Sequence, residues 1–476
     1  MLPESFITQM KALLTDEFDA FLETYDAPTV RGLRLNKLKP SDIYADLPPV
    51  PWCANGRYYP ETDRPAKSIY FNAGLYYIQE PSAMCPAEVL KPEPGRRVLD
   101  LCAAPGGKSV QMAGFLQGRG LLVSNDASPS RSRALVKNLE MAGVTNAIVT
   151  TEMPNRLAKR FVEFFDRILV DAPCSGEGMF RRDSDAVKAY TSNKPVACAE
   201  IQQEILREAA KMLKPGGRLV YSTCTFNTLE NEGTIKDFLA KHPEFVLIPI
   251  SHEELGISKG LDGLDEVGRI FPHRAKGEGH FVALLEKLVV PKKTKPAEQG
   301  TNKACEQARA KACEHRAKAC EHRAEACEYR AKAGAPFTKK TNSQFLEFCK
   351  EHIIPSLDGY IVPHGVNLYL QPEPVDLSGL RVARSGWFLG ETAKGRFVPS
   401  QALAMGLKKE DVKYAVELSE NEAVKYLKGE TLDCAAADLP STKPWVMMCY
   451  KGYPLGWARF VQGRLKNNLP VGWAVS

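Results

Sequence analysis

The stretch VLDLCAAPGGKS, residues 98–109, decides the fold because it joins an apolar strand, a turn of small residues and the start of a helix. The two alanines and two glycines of this turn would let a ligand approach the main chain closely, and free N–H groups at a helix start attract an anion. A nicotinamide site would carry the pattern G-x-G-x-x-G, which is absent here. The stretch predicts either a site for another anionic cofactor or an ordinary tight turn.

Outward from this stretch, apolar strands alternate with helical patterns. The predicted strands are RRVLDL (96–101), GLLVSND (120–126), NAIVT (146–150), DRILVDA (166–172), GRLVYST (217–223) and HFVALLEK (280–287). Helical patterns such as SPSRSRALVKNLEMAG fall between them. Such alternation predicts a doubly wound α/β sheet.

The composition is typical of a soluble globular protein, with 44% hydrophobic and 25% charged residues among 476. The first thirty residues mix acids into a helical pattern, which excludes a signal peptide, and no apolar run approaches the roughly 18 residues of a membrane span. Without a secretory signal, the 13 cysteines indicate reduced thiols. We expect a cytoplasmic protein that makes no contact with a membrane.

A compositionally distinct segment, residues 291–342, holds 13 of the 63 basic residues but only 6 of the 57 acids, so the net charge of +6 arises there. Any RNA-binding face elsewhere must be a local patch. Near-repeats place Cys313, Cys320 and Cys327 about 10 Å apart along a helix, too far for them to share one metal ion. We predict a basic Ala/Cys-rich helical linker and no metal site, with RNA contact or redox chemistry as the alternative.

These patterns divide the chain into four parts. Residues 1–68 are predicted to form an N-terminal α+β unit, and residues 69–290 the catalytic domain. The linker covers residues 291–342. A C-terminal region rich in short strands and turns covers residues 343–476.

A carboxylate after the second strand supports a nucleotide-like cofactor. Asp126 closes that strand 19 residues after Gly107, where a carboxylate can accept both hydroxyl groups of a ribose. We therefore expect S-adenosylmethionine, with its methionine carboxylate at the small-residue turn and its ribose on Asp126.

Two cysteines follow two later strands. Asp171 and Cys174 lie in DAPCSGEGMF (171–180), and Cys224 lies in YSTCTFN (221–227). Ligands of a doubly wound sheet bind beyond the carboxyl ends of its strands, so the three side chains converge if the two strands are neighbours. A single cysteine after a strand is usually a small buried hydrophobe, but two of them on successive strands favour a paired site.

Two thiols and an acid match the methylation of carbon 5 of cytosine. That carbon is a weak nucleophile, and a thiolate that adds to carbon 6 makes it reactive. Asp171, as carboxylic acid or carboxylate, would stabilise the adduct at ring nitrogen 3, and a base must then remove the carbon 5 proton. The residues alone do not order the two cysteines. Cys102 is interpreted as packing, and His273 and His280 as loop and strand-start hydrogen bonders.

These motifs resemble those of the RNA (cytosine-5) methyltransferase family over most of the chain. VLDLCAAPGGKS is similar to the family's cofactor loop, DAPCSGEGMF to its proline-cysteine motif, YSTCTFNTLENE to its threonine-cysteine motif, and RIFPHRAKGEGHF to its final catalytic motif. The start (LPESF, RGLRLNKLK) and the end (YPLGWARFVQGRLKNNLPVGW) resemble the bacterial branch that modifies small-subunit ribosomal RNA. The resemblance implies a Rossmann-like class I methyltransferase core, a small N-terminal RNA-binding unit and a C-terminal PUA-like RNA-binding region.

The resemblance also implies residue roles. Cys224 would be the nucleophile, and Cys174 the group that releases the product. Cofactor contacts would fall on Cys102, Ala103, Ala104, Pro105, Gly106, Gly107, Lys108, Asp126, Arg131 and Asp171. Where many members carry an acid near the adenine, this chain has VTTEMPNRLA, in which the nearest acid is Glu152.

The sequence therefore predicts an S-adenosylmethionine-dependent enzyme that methylates carbon 5 of a cytosine in RNA, with 16S ribosomal RNA of the small subunit as partner and a monomer as its state. The alternatives are a transfer RNA substrate, an adenine amino-group methyltransferase and a catalytically idle RNA-binding ribosome assembly factor. The amino-group enzyme needs no thiol and would place an aromatic residue where Cys174 stands. The presence of Asp171, Cys174 and Cys224 argues against an idle factor.

Overall fold

The computed structural model describes residues 2–289, 339–393, 395–433, 439 and 445–475. Most of the predicted linker, including its near-repeats and their cysteines, lies outside the described residues. In the ranges given, no helix combines the length and the apolar character needed to cross a membrane.

The N-terminal unit consists of a helical hairpin and a four-stranded antiparallel sheet. Its helices are α1 (Glu4–Leu14), α2 (Phe18–Glu23) and α3 (Ile69–Asn72), and its strands are β1 (Gly32–Leu35), β2 (Pro49–Val50), β3 (Cys53–Tyr58) and β4 (Tyr76–Ile78). The strand order is β2-β3-β1-β4. The sheet therefore extends to β4, beyond residue 68, where the sequence suggested the end of this unit. The sequence carries no sign of β4 because a strand of only three residues has little periodic signal.

The central domain contributes nine strands to a ten-stranded sheet, whose tenth strand comes from the C-terminal region. Its strands are β5 (Arg97–Asp100), β6 (Leu121–Asn125), β7 (Ala147–Thr150), β8 (Phe165–Asp171), β9 (Leu213–Thr223), β10 (Phe245–Ile248), β11 (Ser258–Lys259), β12 (Gly268–Ile270) and β13 (His280–Lys287). Its helices are α4 (Cys85–Leu90), α5 (Gly107–Leu116), α6 (Pro129–Met141), α7 (Pro154–Arg160), α8 (Ser184–Lys188), α9 (Lys194–Met212), α10 (Thr234–Lys241) and α11 (His252–Leu255).

The strand order explains where a ligand can bind. From one edge it runs β11-β12-β13-β9-β8-β5-β6-β7, with β10 paired to β13. Strands β5 to β9 pair in parallel, and β13 runs antiparallel to β9. The order reverses between β5 and β8, so the carboxyl ends of these strands border a crevice. The predicted doubly wound sheet is confirmed.

Helices cover both faces of this sheet, which is why its strands are apolar without alternation. Val98 packs in a cluster that includes Leu135 of α6. The next residue, Leu99, points to the other face and packs in a cluster that includes Leu206 of α9.

The C-terminal region contains two small sheets and a strand that belongs to the central domain. Its helices are α12 (Lys339–His352), α13 (Gln401–Gly406) and α14 (Glu420–Leu427), and its strands are β14 (Tyr360–His364), β15 (Asn367–Gln371), β16 (Val382–Arg384), β17 (Trp387–Ala393), β18 (Arg396–Pro399), β19 (Ala415–Glu417), β20 (Leu432–Asp433), β21 (Trp445–Tyr450), β22 (Tyr453–Val461) and β23 (Arg464–Asn467). The sheets have the orders β14-β15-β17-β18 and β19-β21-β22-β23-β20. Strand β16 instead pairs antiparallel with β7 and extends the central sheet.

The helical hairpin of the N-terminal unit packs against both cysteine motifs. Phe6 and Leu14 lie two turns apart on one face of α1 and are buried. Phe6 meets Phe180 with ring centroids 5.0 Å apart, and Phe21 of α2 meets Phe226 at 5.4 Å, both edge to face. Because Phe180 and Phe226 belong to the two cysteine motifs, the hairpin supports the loops on which the thiols lie.

Replacing Phe21 with alanine should lower the free energy of unfolding by about 3–5 kcal/mol, because its ring is fully buried in this aromatic cluster. The matched control is Leu22→Ala, one residue along the same helix and 37% exposed, which should stay within about 0.5 kcal/mol of the unchanged protein. Urea denaturation measures both. If Phe21→Ala lowered the free energy of unfolding as little as Leu22→Ala, the packing of Phe21 against the cysteine loops would not stabilise the protein.

Candidate active site

The two cysteine motifs meet beyond the carboxyl ends of two adjacent strands. The parallel pairing of β8 with β9 sets Asp171 opposite Ser222. A few residues further along each chain segment, Cys174 Sγ lies 3.4 Å from Cys224 Sγ. The structure therefore brings together the acid and the two thiols that the sequence placed on neighbouring strands.

Hydrogen bonds join the two cysteine loops directly. Gly178 N donates to the Cys224 carbonyl oxygen at 2.8 Å, and the hydroxyl groups of Ser175 and Thr225 are 2.7 Å apart. A Cβ atom at Gly178 would lie 2.9 Å from the Cys224 carbonyl oxygen, so only glycine allows this close approach. The separation of the sulfur atoms is thus set by contacts between the loops.

A buried carboxylate connects these loops to the N-terminal hairpin. Glu177 accepts hydrogen bonds from Phe226 N at 3.1 Å, from Tyr190 Oη at 3.2 Å and from Gln9 Nε2 of α1 at 3.0 Å. The side-chain oxygen of Gln9 accepts a further bond from Asn227 Nδ2 at 2.6 Å. One glutamine of the hairpin therefore binds both cysteine motifs.

The contact between the two sulfur atoms affects the ionisation of Cys174. The hydrogen bond between the two thiols, together with burial, raises the pKa of Cys174 well above its ordinary value. The contact therefore disfavours the thiolate form of Cys174.

Asp171 is ionised in this structure. Its Oδ2 accepts a hydrogen bond from Lys108 Nζ at 2.8 Å, and its Oδ1 accepts one from Ser222 Oγ at 2.8 Å. Burial opposes the charge, but Lys108 and His280 outweigh it and hold the pKa of Asp171 well below its usual range. Of the two forms that the sequence left open, the structure favours the carboxylate.

His280 lies closer to the chemistry than its sequence context suggested. Its Nε2 is 3.6 Å from Asp171 Oδ1, and its Nδ1 is 3.2 Å from the Gly279 carbonyl oxygen. Strand β13 begins beside the carboxyl end of β9 because the two strands run antiparallel, with Phe281 opposite Thr223. Sequence reasoning would have found His280 only if it had fixed this strand order. His273, by contrast, contacts Glu17 of the hairpin at 2.9 Å.

The small-residue turn is held in shape by side chains that bind its carbonyl groups. Arg131 Nη2 donates to the Ala104 carbonyl oxygen at 2.6 Å, and Asn138 Nδ2 donates to that of Pro105 at 2.8 Å. Helix α5 then begins at Gly107 without a side-chain cap. An uncapped helix start behind a turn of small residues fits an anionic ligand.

Asp126 lies against the same turn. Its side chain is almost fully buried, and its Oδ2 accepts a hydrogen bond from Ala104 N at 3.2 Å. The same oxygen is 3.3 Å from Arg131 Nη1, while Oδ1 accepts a bond from Ser128 N at 2.9 Å. Burial raises the pKa of Cys102, the first residue of the turn, which agrees with its interpretation as a packing thiol.

Glu152 binds the C-terminal region. Its side chain is fully buried, and its Oε1 accepts a hydrogen bond from Arg381 N at 2.7 Å. Its Oε2 is 3.4 Å from the guanidinium groups of both Arg156 and Arg381. Because Arg381 directly precedes β16, Glu152 anchors that strand to the edge of the central sheet. The partner is so distant in sequence that no local pattern could have predicted this role.

Among the residues that the structure describes, no group of three or more histidine, cysteine, aspartate or glutamate side chains is arranged to hold a metal ion.

The effect of the sulfur contact on Cys174 can be tested by alkylation. Iodoacetamide should modify Cys174 slowly at neutral pH, because the thiolate is the form that reacts and the contact with Cys224 raises the pKa of Cys174. In the Cys224→Ala variant this contact is absent, so Cys174 should react faster than it does in the unchanged protein. Peptide mass mapping gives both rates. Equal rates of Cys174 modification in the two proteins would contradict this effect of the contact.

Family models match four separate parts of the chain. Residues 87–286 match the family model of 16S rRNA methyltransferase RsmB/F, and residues 2–81 match the N-terminal domain of 16S rRNA methyltransferase RsmF. Residues 347–407 match the RsmF rRNA methyltransferase first C-terminal domain, and residues 413–475 match the methyltransferase RsmF PUA domain.

Solved structures share the fold of the central domain. A methyltransferase homolog protein from Pyrococcus horikoshii is 31% identical with a TM-score of 0.52, over 59% of this chain and 93% of that chain. NSun6 from the same organism is 23% identical with a TM-score of 0.51, over 60% of this chain and 99% of that one. The second likeness shows the fold alone.

Curated relatives match over nearly their full length. Ribosomal RNA small subunit methyltransferase F from Erwinia tasmaniensis is 32% identical over 98% of this chain and 96% of its own length. The protein of the same name from Vibrio campbellii is 30% identical over 98% of this chain and 97% of its own length. The chain therefore belongs to the ribosomal RNA small subunit methyltransferase F family.

Proposed function

We propose that this enzyme transfers the methyl group of S-adenosylmethionine to carbon 5 of a cytosine in 16S ribosomal RNA. The observation that carries the proposal is the pair of sulfur atoms 3.4 Å apart, beside the ionised Asp171 at the carboxyl ends of β8 and β9. The names of the full-length relatives support small-subunit ribosomal RNA as the substrate. The match to a PUA domain supports RNA binding by the C-terminal region.

Cys224 is the nucleophile of this scheme. Its thiolate adds to carbon 6 of the cytosine, which makes carbon 5 reactive toward a methyl group. The carboxylate of Asp171 accepts a hydrogen bond from ring nitrogen 3 when that nitrogen carries a proton. Lys108 and His280 keep the carboxylate ionised for this task.

Cys174 completes the reaction. After methylation, carbon 5 carries both the new methyl group and its original proton, and Cys174 removes that proton. The electron pair of the broken C–H bond restores the double bond between carbons 5 and 6. The bond from carbon 6 to Cys224 breaks, and the RNA leaves.

The residues around the small-residue turn fit S-adenosylmethionine, which supplies the methyl group when bound. The uncapped start of α5, with the turn at residues 102–108, offers N–H groups to the methionine carboxylate. Asp126 offers its carboxylate to the ribose. Arg131 contacts both the turn and Asp126, so we assign it the role of fixing the position of one relative to the other.

Replacing Asp126 with alanine should weaken the binding of S-adenosylmethionine by about 1.5–3 kcal/mol, because a charged acceptor for the ribose is lost. Isothermal titration calorimetry measures this change. The control is Asp237→Ala, which changes an exposed acid on α10 that forms an ion pair with Lys241 of the same helix. The affinity of this variant for S-adenosylmethionine should be unchanged. Equal affinities in the two variants would remove Asp126 from the cofactor site.

The Cys174→Ala variant should accumulate a covalent complex with RNA. Cys224 can still attack carbon 6 and accept a methylated adduct, but the carbon 5 proton stays and Cys224 cannot leave. A denaturing gel should show a slow band that nuclease removes.

The matched control is Cys224→Ala, which should bind the cofactor, form no adduct and make no 5-methylcytosine. The double variant should form no adduct either. An adduct in Cys224→Ala but not in Cys174→Ala would reverse the two roles. If neither single variant forms one, the covalent scheme is wrong.

A further inference from the structure

A buried carboxylate that binds the main chain next to Cys174 plays no part in the scheme above. Glu230 lies in the π-helical turn Leu229–Gly233, after the second cysteine motif, and its side chain has no exposed surface. Its Oε2 accepts hydrogen bonds from Ser175 N and Gln202 Nε2, both at 2.9 Å. Its Oε1 is buried and has no hydrogen-bond partner among the described residues. An acceptor left free in the interior is costly unless it serves the chemistry.

The contacts of Glu230 place it next to the Cys174 peptide. Gln202 Nε2 also donates to the Pro173 carbonyl oxygen at 2.9 Å. The residues on either side of Cys174 are thus bound to Glu230 and Gln202. Glu230 therefore binds the main chain one residue after the thiol.

The surroundings of Glu230 favour a group that exchanges a proton near neutral pH. Burial raises the pKa of Glu230 to about 7, and the nearby charge of Glu177 adds to this effect, although hydrogen bonds from Ser175 and Gln202 oppose it. The titratable side chains that interact with Glu230 are Cys174, Glu177, Tyr190, Cys198 and Tyr221. None of these is a cation that would keep the carboxylate ionised.

The proposed reaction leaves one proton without a destination. In the proposed scheme Cys224 attacks as a thiolate, and the raised pKa of Cys174 keeps that residue a thiol. Cys174 must therefore lose its own proton before it can take the one on carbon 5. Once Cys224 is bonded to carbon 6, it no longer accepts the hydrogen bond that is the main reason why Cys174 stays protonated. Cys174 can then give up its proton to a neighbouring base.

Resting on that proposed function, we propose that Glu230 accepts the thiol proton of Cys174 and thereby prepares Cys174 to act as the base on carbon 5. The S–H bond of Cys174 breaks and an O–H bond forms at Glu230 Oε1. The Cys174 thiolate then takes the carbon 5 proton, and the electron pair of that C–H bond forms the double bond to carbon 6. The electron pair of the bond between carbon 6 and sulfur returns to Cys224.

The protons balance over one turnover. Cys174 ends as a thiol and Cys224 as a thiolate, which is the state in which they began. Glu230 releases its proton to solvent, and this is the single proton that replacing C–H by C–CH3 must set free. Because Glu230 acts through Cys174 and does not touch the base, it is a positioning residue.

Two variants separate proton transfer from mere support of the loop. Glu230→Gln keeps an oxygen that can accept from Ser175 N and Gln202, but it cannot take up a proton. Gln202→Met has the opposite effect, because it removes one hydrogen bond from the loop, to the Pro173 carbonyl oxygen, and one from Glu230, but leaves a carboxylate that can take up a proton.

The readout is the decay of the methylated adduct in a single turnover, followed from about pH 6 to about pH 8. In the unchanged enzyme the decay rate should rise as pH passes through about 7, because the carboxylate is the form that accepts the proton. Glu230→Gln should form the adduct but decay at least about tenfold more slowly, without that rise. Gln202→Met should keep the rise even if its rates are lower, but at higher pH, because it loses a hydrogen bond that lowers the pKa of Glu230.

Three results would overturn the proposal. The first is decay of the Glu230→Gln adduct at the unchanged rate and with the unchanged pH profile. The second is a Glu230→Gln variant that binds cofactor but forms no adduct, because Glu230 would then act before proton removal. The third is a decay rate in the unchanged enzyme that does not rise with pH. This last test does not depend on the folding of any variant. Failure of the proposed function is distinct, since the unchanged enzyme would then make no 5-methylcytosine.

Discussion

The active site depends on the parallel pairing of β8 with β9. Because parallel neighbours end at the same edge of the sheet, the loops that follow them leave at the same height. Contacts between the loops then fix the distance between the two thiols, above all the bond from Gly178 N to the Cys224 carbonyl oxygen. A shift of one strand by a single residue would turn Asp171 to the other face and separate it from Lys108.

The flanking regions support the site mechanically. The N-terminal hairpin binds both cysteine loops through Gln9, and its aromatic side chains pack against the same loops. At the opposite edge of the parallel strands, β16 extends the sheet and is held by the bond from Arg381 to Glu152. Changes in either flanking region can therefore reach the catalytic side chains through direct contacts.

Much of the fold and the centre of the site follow from local sequence patterns. The central strands are apolar runs that end in Asp126, Asp171 and Cys224, so their order in the chain already indicated which side chains meet. Partners that are distant in sequence could not be predicted in this way. The position of His280 depends on the antiparallel placement of β13. Nothing in the local sequence distinguishes Glu230, whose side chain binds the main chain next to Cys174 and keeps one buried oxygen without a partner among the described residues. Interactions that cross between regions carry no periodic signal.

The central claim is that Cys224 forms a covalent bond to carbon 6 and that release requires loss of the carbon 5 proton. Small-subunit ribosomal RNA containing 5-fluorocytidine tests it most directly in the unchanged enzyme, because a fluorine at carbon 5 cannot be removed as a proton is. With S-adenosylmethionine present, the account predicts a stable methylated complex whose RNA is attached to the peptide that contains Cys224. Attachment to the peptide that contains Cys174, or no attachment from an enzyme that methylates ordinary RNA, would contradict it.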